Sequence, residues 1–175
     1  MLFRSKIIAA LGLFLLVQAP VKAQFFKGLF INRYDRHNMH HGKWKYRDLS
    51  NKRQLICVGW FDHGKQVKEW KYYHPNGKLR FVENYSWVGD MRVVDVIYFH
   101  ENGHISNKGI AMVQNAEGKM HYYWEGDWNY FEEDGTFVKT VTYNNGQPIK
   151  STYANGRVEI EQTKLPYREV AIPIK

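Results

Sequence analysis

The chain has 175 residues, of which 44% are hydrophobic and 24% charged, and this composition excludes an intrinsically disordered protein. The formal net charge is +8, and the single cysteine, Cys57, excludes an internal disulfide framework. Because Cys57 lies in the apolar stretch LICVGW, we expect a buried thiol with a packing role. The length suits one ordinary domain.

Residues 1–23 have the features of a secretory signal peptide. Arg4 and Lys6 precede the apolar run IIAALGLFLLV, and Val21-Lys22-Ala23 fits a signal peptidase site. The run is shorter than the roughly 20 residues of a membrane-spanning helix. We therefore expect cleavage after Ala23, no transmembrane span in the mature chain, and a periplasmic or secreted protein. An uncleaved N-terminal anchor is the alternative.

The chain then repeats one segment four times. The copies read WKYRDLSNKRQ, WKYYHPNGKLR, VIYFHENGHIS and WNYFEEDGTFV, and they begin at residues 44, 70, 96 and 128. Within each copy, side chains alternate between two faces as in a β-strand. Turn dipeptides follow at Asn76-Gly77, Asn102-Gly103 and Asp134-Gly135, where we expect tight hairpins with positive φ at both residues. The sequence predicts an all-β, single-layer antiparallel β-meander built from repeated hairpins.

A single-layer sheet has no second layer, so neighbouring hairpins must supply the apolar contacts. The repeat predicts one column made mostly of tryptophans and a second column of tyrosines beside it. The first consists of Trp44, Trp70, Val96 and Trp128, and the second of Tyr46, Tyr72, Tyr98 and Tyr130. We assign residues 41–161 to the hairpins, residues 24–40 to a cap on one open end, and residues 162–175 to an edge strand or a tail.

The unit Gly-x-Trp-x-Tyr-Tyr-x-x-Asn-Gly-x-Leu resembles the bacterial variant of the MORN repeat, the MORN repeat type 2 family. The resemblance covers residues 41–156; Val96 replaces the tryptophan in one copy and Lys68 replaces the leading glycine in another. It implies one hairpin per repeat in a single twisted sheet. Bacterial proteins similar to these repeats are often labelled antitoxins, which would imply a cytosolic toxin as partner. The signal sequence argues against that, whereas a periplasmic immunity protein remains compatible with it.

No reaction centre is evident in the sequence. Residues 125–134 are rich in carboxylates, but a single-layer sheet offers no cleft that would hold a substrate between two of them. Nucleophile elbows, phosphate-binding loops and metalloprotease pairs are absent from the sequence. His37, His40 and His41 lie close together but lack the ligand spacing of a zinc site. We therefore expect no enzyme activity, no metal and no cofactor.

The leading hypothesis is an exported binding or scaffold protein for a protein or an anionic envelope component. Residues 24–92 carry 14 basic and 6 acidic residues, whereas residues 93–175 carry 8 and 11, so the N-terminal half is cationic. Export argues against a nucleic acid partner. A core role for the aromatic rows, a solvated basic face, and a carbohydrate-binding or carbohydrate-active protein are the alternatives. The candidate binding residues are Tyr73, Phe99 and Phe131, expected opposite the tryptophan column, with Lys71, Lys78 and Arg80.

Overall fold

The computed structural model describes residues 30–51, 53–116 and 119–160. The chain divides into a unit up to Ile31 and a second unit from Asn32 onward, and the sheet belongs to the second. The predicted signal peptide and the predicted C-terminal edge strand or tail at residues 162–175 lie outside the described residues. None of the described residues belongs to a helix with the length and hydrophobicity needed to cross a membrane.

In the described part of the chain, eleven β-strands form one open antiparallel sheet in which each strand pairs with its neighbours in sequence. This confirms the predicted all-β meander of hairpins. The strands are β1 (Arg33–Tyr34), β2 (His40–Arg47), β3 (Leu55–Asp62), β4 (Lys65–Tyr73), β5 (Leu79–Val88), β6 (Met91–Phe99), β7 (Ile105–Ala116), β8 (Lys119–Phe131), β9 (Phe137–Asn144), β10 (Gln147–Tyr153) and β11 (Val158–Ile160).

The predicted turns lie between strands, but their geometry differs from the prediction. At the β4–β5 turn the Gly77 N–H donates to the His74 carbonyl (2.9 Å), and the His74 N–H donates to the Lys78 carbonyl (2.8 Å). Gly77 has a φ of 82°, whereas Asn76 is not in the left-handed region, and its Oδ1 instead accepts the Lys78 N–H at 3.0 Å. The expectation of positive φ at both residues is therefore wrong here. The loop is a type I turn followed by a left-handed glycine.

The same geometry recurs at the turns that contain Gly103, Gly135 and Gly156. Two-residue turns with positive φ at both positions occur at His63-Gly64, with φ of 43° and 79°, and at Asn145-Gly146, with φ of 50° and 78°. A type I′ turn of this kind favours asparagine and glycine. His63 is therefore an unusual residue for its backbone conformation.

The predicted tryptophan column is buried on one face of the sheet, which we call the tryptophan face. Trp44, Trp70, Val96 and Trp128 are all at most 5% exposed. The strand register continues this row through residues of the intervening strands. In order across the sheet the row reads Trp44, Gly59, Trp70, Glu83, Val96, Gly109, Trp128, Val141 and Ser151.

Two of the tryptophans lie flat over glycines of the preceding strand. A Cβ on Gly59 would lie 2.0 Å from the Trp70 ring, and a Cβ on Gly109 would lie 2.4 Å from the Trp128 ring. Each indole Nε1 also donates to a backbone carbonyl of the preceding strand at 3.0 Å. The pairing shifts register at both places, so each tryptophan occupies a β-bulge. These bulges require a small residue beneath the ring.

The residue two positions before each of these tryptophans has a left-handed backbone. Gly126 has a φ of 66°, and Lys68, which replaces the glycine in its copy, has a φ of 59°. A side chain at such a φ is strained, because Cβ approaches the following carbonyl oxygen. The second copy therefore keeps the bulge geometry of the fourth copy, although it lacks the glycine.

The tyrosine column lies on the tryptophan face, beside the tryptophans. The Tyr72 ring is 6.2 Å from the Trp70 ring, and the Tyr98 ring is 6.3 Å from the Trp128 ring. Cys57 is buried on this face against Trp44 and Trp70, and burial raises the pKa of its thiol to about 11. The thiol therefore has the buried position that its sequence context predicts.

Candidate binding site on the tryptophan face

The site arises where the repeat loses its tryptophan. Trp70 and Trp128 cover glycines, but in the third copy Val96 pairs with Glu83. By the geometry of the other copies, a tryptophan at position 96 would lie over Glu83. Valine is too short to do so. The exchange of tryptophan for valine thus accompanies the exchange of glycine for glutamate.

A cavity of about 300 Å³ lies on the tryptophan face at Glu83. Its walls are mainly aromatic and aliphatic, and they come from five consecutive strands, β4 to β8. Tyr85 packs against the buried clusters on both sides, so the cavity marks the junction between the two halves of the core. Besides Glu83, the lining residues are Gln66, Tyr72, Phe81, Tyr85, Arg92, Tyr98, Val113, Met120 and Tyr122.

Tyrosine hydroxyls surround the Glu83 carboxylate, which is 7% exposed. Its Oε2 accepts hydrogen bonds from Tyr72 and Tyr85, each at 2.8 Å. Burial, followed by the charge of Glu83, raises the pKa of both tyrosines and of Tyr122 far above the usual value. The phenols are therefore protonated and can donate. The Tyr122 hydroxyl is buried near Glu83, but without the alignment of a hydrogen bond to any described residue.

Arg92 is the second buried charge at the cavity, and it is 8% exposed. Its guanidinium lies 4.5 Å from the centre of the Tyr85 ring and donates to the Gln66 backbone carbonyl. Burial lowers its pKa below the ordinary value. Within the described part of the chain, neither Arg92 nor Glu83 belongs to an ion pair. Glu83 is thus a buried carboxylate held by neutral hydroxyls, an arrangement that leaves its charge uncompensated by a direct cation.

The aromatic residues proposed from the sequence lie elsewhere, at the ends of their strands. Tyr73, Phe99 and Phe131 are each the last residue before a hairpin turn, and all three are half-buried. Tyr73 lines a depression with Asn76 and Gly77, whereas Phe99 lines a separate one with Leu79. Phe131 packs edge-on against Phe137 at 5.8 Å. The three residues occupy equivalent repeat positions, but they contact different neighbours and share neither of these two depressions.

The proposed basic residues also have separate environments. The Lys71 ammonium lies 2.9 Å from the Glu69 carboxylate, which compensates its charge. Lys78 is exposed at the β4–β5 turn, and the Arg80 guanidinium lies 5.8 Å from the Phe81 ring centre. These three side chains therefore do not share one ligand position.

The opposite face, which we call the lysine face, carries a different pair of cations. Trp60 is 38% exposed there, with the Lys68 Nζ 4.8 Å and the Lys43 Nζ 6.0 Å from its ring centre. Lys71 and Lys108 lie on the same face, in one register row with Val82 and Ile97. An exposed tryptophan between two lysines was not among the residues proposed from the sequence.

The sequence did contain signals for Glu83 and Arg92. Alternation along β5 places Glu83 on the same face as Phe81 and Tyr85, and alternation along β6 places Arg92 on the same face as Val94 and Val96. A charged residue on the apolar face of a strand, next to the copy of the repeat that lacks tryptophan, indicates a buried charge and hence a candidate functional site. The missing tryptophan is visible in the repeat, but Glu83 and Arg92 were not among the residues proposed from the sequence.

No family model matches the sequence, and no curated protein matches it either.

Proposed function

We propose that this protein is an exported, non-catalytic binding module of the MORN-repeat kind, and that its tyrosine-lined cavity accepts a cationic side chain of a partner protein. The observation that supports this proposal is the buried Glu83 carboxylate, which borders a cavity of about 300 Å³ and has no ion-pair partner among the described residues. Arg92, the other buried charge at the cavity, attracts Glu83 but forms no ion pair with it, so a cation that reaches the carboxylate directly gains both attraction and hydrogen bonds.

A lysine side chain fits the chemistry of the walls. Its apolar stem suits the rings of Tyr72, Phe81 and Tyr98, and its ammonium offers three donors to a carboxylate that can only accept. Aromatic faces also attract cations, and Arg92 already lies over Tyr85 in this way. A neutral or anionic group in the cavity would lack this direct attraction to the Glu83 carboxylate.

The direct test uses a lysine analogue. The purified protein is titrated with N-acetyl-lysine amide and, as an uncharged control of similar shape, with N-acetyl-norleucine amide, and the tyrosine NMR signals are followed. We expect saturable shifts at the cavity tyrosines with lysine only, and their loss in Glu83→Gln. Glu69→Gln, which removes an exposed carboxylate on β4, is the matched control and should bind as the wild type does. Equal binding of norleucine, or unchanged binding by Glu83→Gln, would refute the proposal.

The resemblance to MORN repeat type 2 proteins suggests one kind of partner. A periplasmic immunity protein would use the same cavity against a toxin in its own compartment. Capture from an envelope extract by the wild type and by Glu83→Gln, with the bound proteins identified by mass spectrometry, would name the partner. The mature N-terminus is expected at Gln24; retention of Met1 in a cytosolic protein would favour a cytosolic antitoxin instead.

A second candidate function is the binding of an anionic envelope component, glycans included, on the lysine face. Trp60 favours it, because an exposed ring between Lys43 and Lys68 offers a stacking surface flanked by two cations. Binding to isolated anionic envelope glycans should weaken steeply with salt, since exposed charges are screened. Reversing Lys43 and Lys68 to glutamate should abolish it, whereas reversing Lys139 and Lys150 should not. Equal retention by both double variants would remove this candidate.

A further inference from the structure

Three potential metal ligands converge at the β3–β4 turn. His41 lies on β2, and Asp62 and His63 lie at the end of β3 and in the turn. One ligand atom from each residue lies within 4.8 Å of the others. The Asp62 Oδ1 is 3.4 Å from His41 Nδ1 and 3.8 Å from His63 Nε2. The set is not evident from the sequence, because Asp62 and His63 lie far along the chain from His41.

The Asp35 carboxylate orients the His63 ring by binding Nδ1, the ring nitrogen other than the one nearest Asp62. The His63 Nδ1–H donates to Asp35 Oδ2 at 2.6 Å, which leaves the Nε2 lone pair directed away from Asp35. Asp35 is itself fixed, because its Oδ1 accepts the backbone N–H groups of His37 (2.8 Å) and Met39 (2.9 Å). These bonds, that of Met39 foremost, hold the pKa of Asp35 down at about 2. Carboxylates behind metal-binding histidines commonly have this arrangement.

Two further features indicate that these side chains serve more than packing. The His41 Nδ1 is buried and has no hydrogen-bond partner among the described residues, although it lies beside Asp62. His63 has a φ of 43° in a type I′ turn, where asparagine or glycine would be relaxed. The turn is also anchored to β2, since the Gly64 N–H donates to the His40 carbonyl at 2.9 Å. Strained residues in over-determined positions often mark functional sites.

We propose that His41, Asp62 and His63 form a binding site for a divalent transition metal ion of the Zn²⁺ type. A tetrahedral zinc ion with bonds of 2.0 to 2.1 Å holds its ligand atoms about 3.3 Å apart, so the two distances to Asp62 need only small side-chain movements. Two imidazoles favour zinc and similar ions over calcium or magnesium. With three protein ligands, two of them exposed, the ion keeps a coordination position open to water or to a partner group.

The neighbouring histidines do not complete the set. The His40 ring packs against Trp44 at 4.1 Å and Phe61 at 4.9 Å, as part of the aromatic core. The His37 Nε2 accepts a hydrogen bond from Arg36 at 3.0 Å. A bound ion would therefore tie β2 to the β3–β4 turn and leave the tyrosine-lined cavity unchanged.

Isothermal titration of the purified protein with Zn²⁺, and the visible absorption of added Co²⁺, test this site. We expect one saturable site in the wild type and its loss in His41→Ala. His63→Asn is the most informative variant, because asparagine occupies the equivalent position in the other type I′ turn at Asn145. This variant should keep the fold, because asparagine suits the turn, and should not bind metal. Zinc should raise the melting temperature of the wild type but not that of His63→Asn.

Asp35→Asn tests the positioning role, since asparagine keeps the Oδ1 that accepts the two backbone N–H groups. It should retain the site with an affinity about 10 to 100-fold weaker. His37→Ala is the control and should bind as the wild type does. Failure of both ions to bind at millimolar concentration would overturn the proposal. Unchanged binding by His63→Asn, or an equal loss in His37→Ala, would also overturn it.

Discussion

Gly109→Ala should be among the most destabilising small substitutions in this protein. The new Cβ would lie 2.4 Å from the Trp128 ring, more than 1 Å inside the usual carbon contact of about 3.5 to 4.0 Å. Overpacking with the ring in place costs about 1 to 3 kcal/mol. Displacing the ring exposes a fully buried tryptophan and breaks its bond to the Ile110 carbonyl, and truncating such a residue costs about 3 to 5 kcal/mol. We therefore expect a loss of about 3 kcal/mol.

Equilibrium unfolding in urea, followed by circular dichroism and tryptophan fluorescence, measures this loss. The control is Gly126→Ala, where a Cβ meets no atom within 4 Å and only the left-handed φ of 66° costs about 1 to 2 kcal/mol. Combining Gly109→Ala with Trp128→Val should cost little more than Trp128→Val alone, because Val96 already faces the larger Glu83 in the third copy. A loss below about 1 kcal/mol for Gly109→Ala, or strict additivity in the double variant, would refute the account of the bulge.

Three further predictions concern backbone strain, buried phenols and the buried thiol. Lys68→Gly should raise the free energy of unfolding by about 1 kcal/mol in urea, by relieving the φ of 59°; a loss of stability would show that the bulge is not strained. Burial raises the pKa of Tyr72, Tyr85 and Tyr122, so the folded state favours neutral phenols; stability should be full below about pH 10 and fall above it by roughly 1.4 kcal/mol per pH unit for each tyrosine. These three phenols should therefore ionise only with unfolding, so part of the tyrosinate absorbance should appear together with the loss of the β-sheet signal; full ionisation of all tyrosines in the folded protein would contradict this. Burial raises the pKa of the Cys57 thiol to about 11, so Cys57 should react with a thiol reagent only after unfolding. Rapid reaction in the native protein would show that the thiol is accessible to solvent on β3.

The cavity at Glu83 could not be predicted from the sequence. Val96 was visible as a departure from the repeat, yet its consequence depends on what lies opposite it, and that is Glu83 on another strand. The two tryptophan bulges shift the register of the strands around them, so the opposing residue is not fixed by counting along the chain. The aromatic residues chosen from alternation, such as Tyr73 and Phe99, lie in separate depressions at the ends of their strands.

The sequence by itself determined the strands, the positions of the hairpins and the column of Trp44, Trp70, Val96 and Trp128. These features depend on short-range chemistry, because side-chain alternation and turn glycines act within a few residues. Only the tertiary structure decided which side chains meet across strands. The tyrosine-lined cavity needs five strands in one register, and the cluster of His41, Asp62 and His63 needs β2 beside the β3–β4 turn. Such contacts depend on bulges and turn geometry, and a shift of one residue in a strand moves its side chains to the other face.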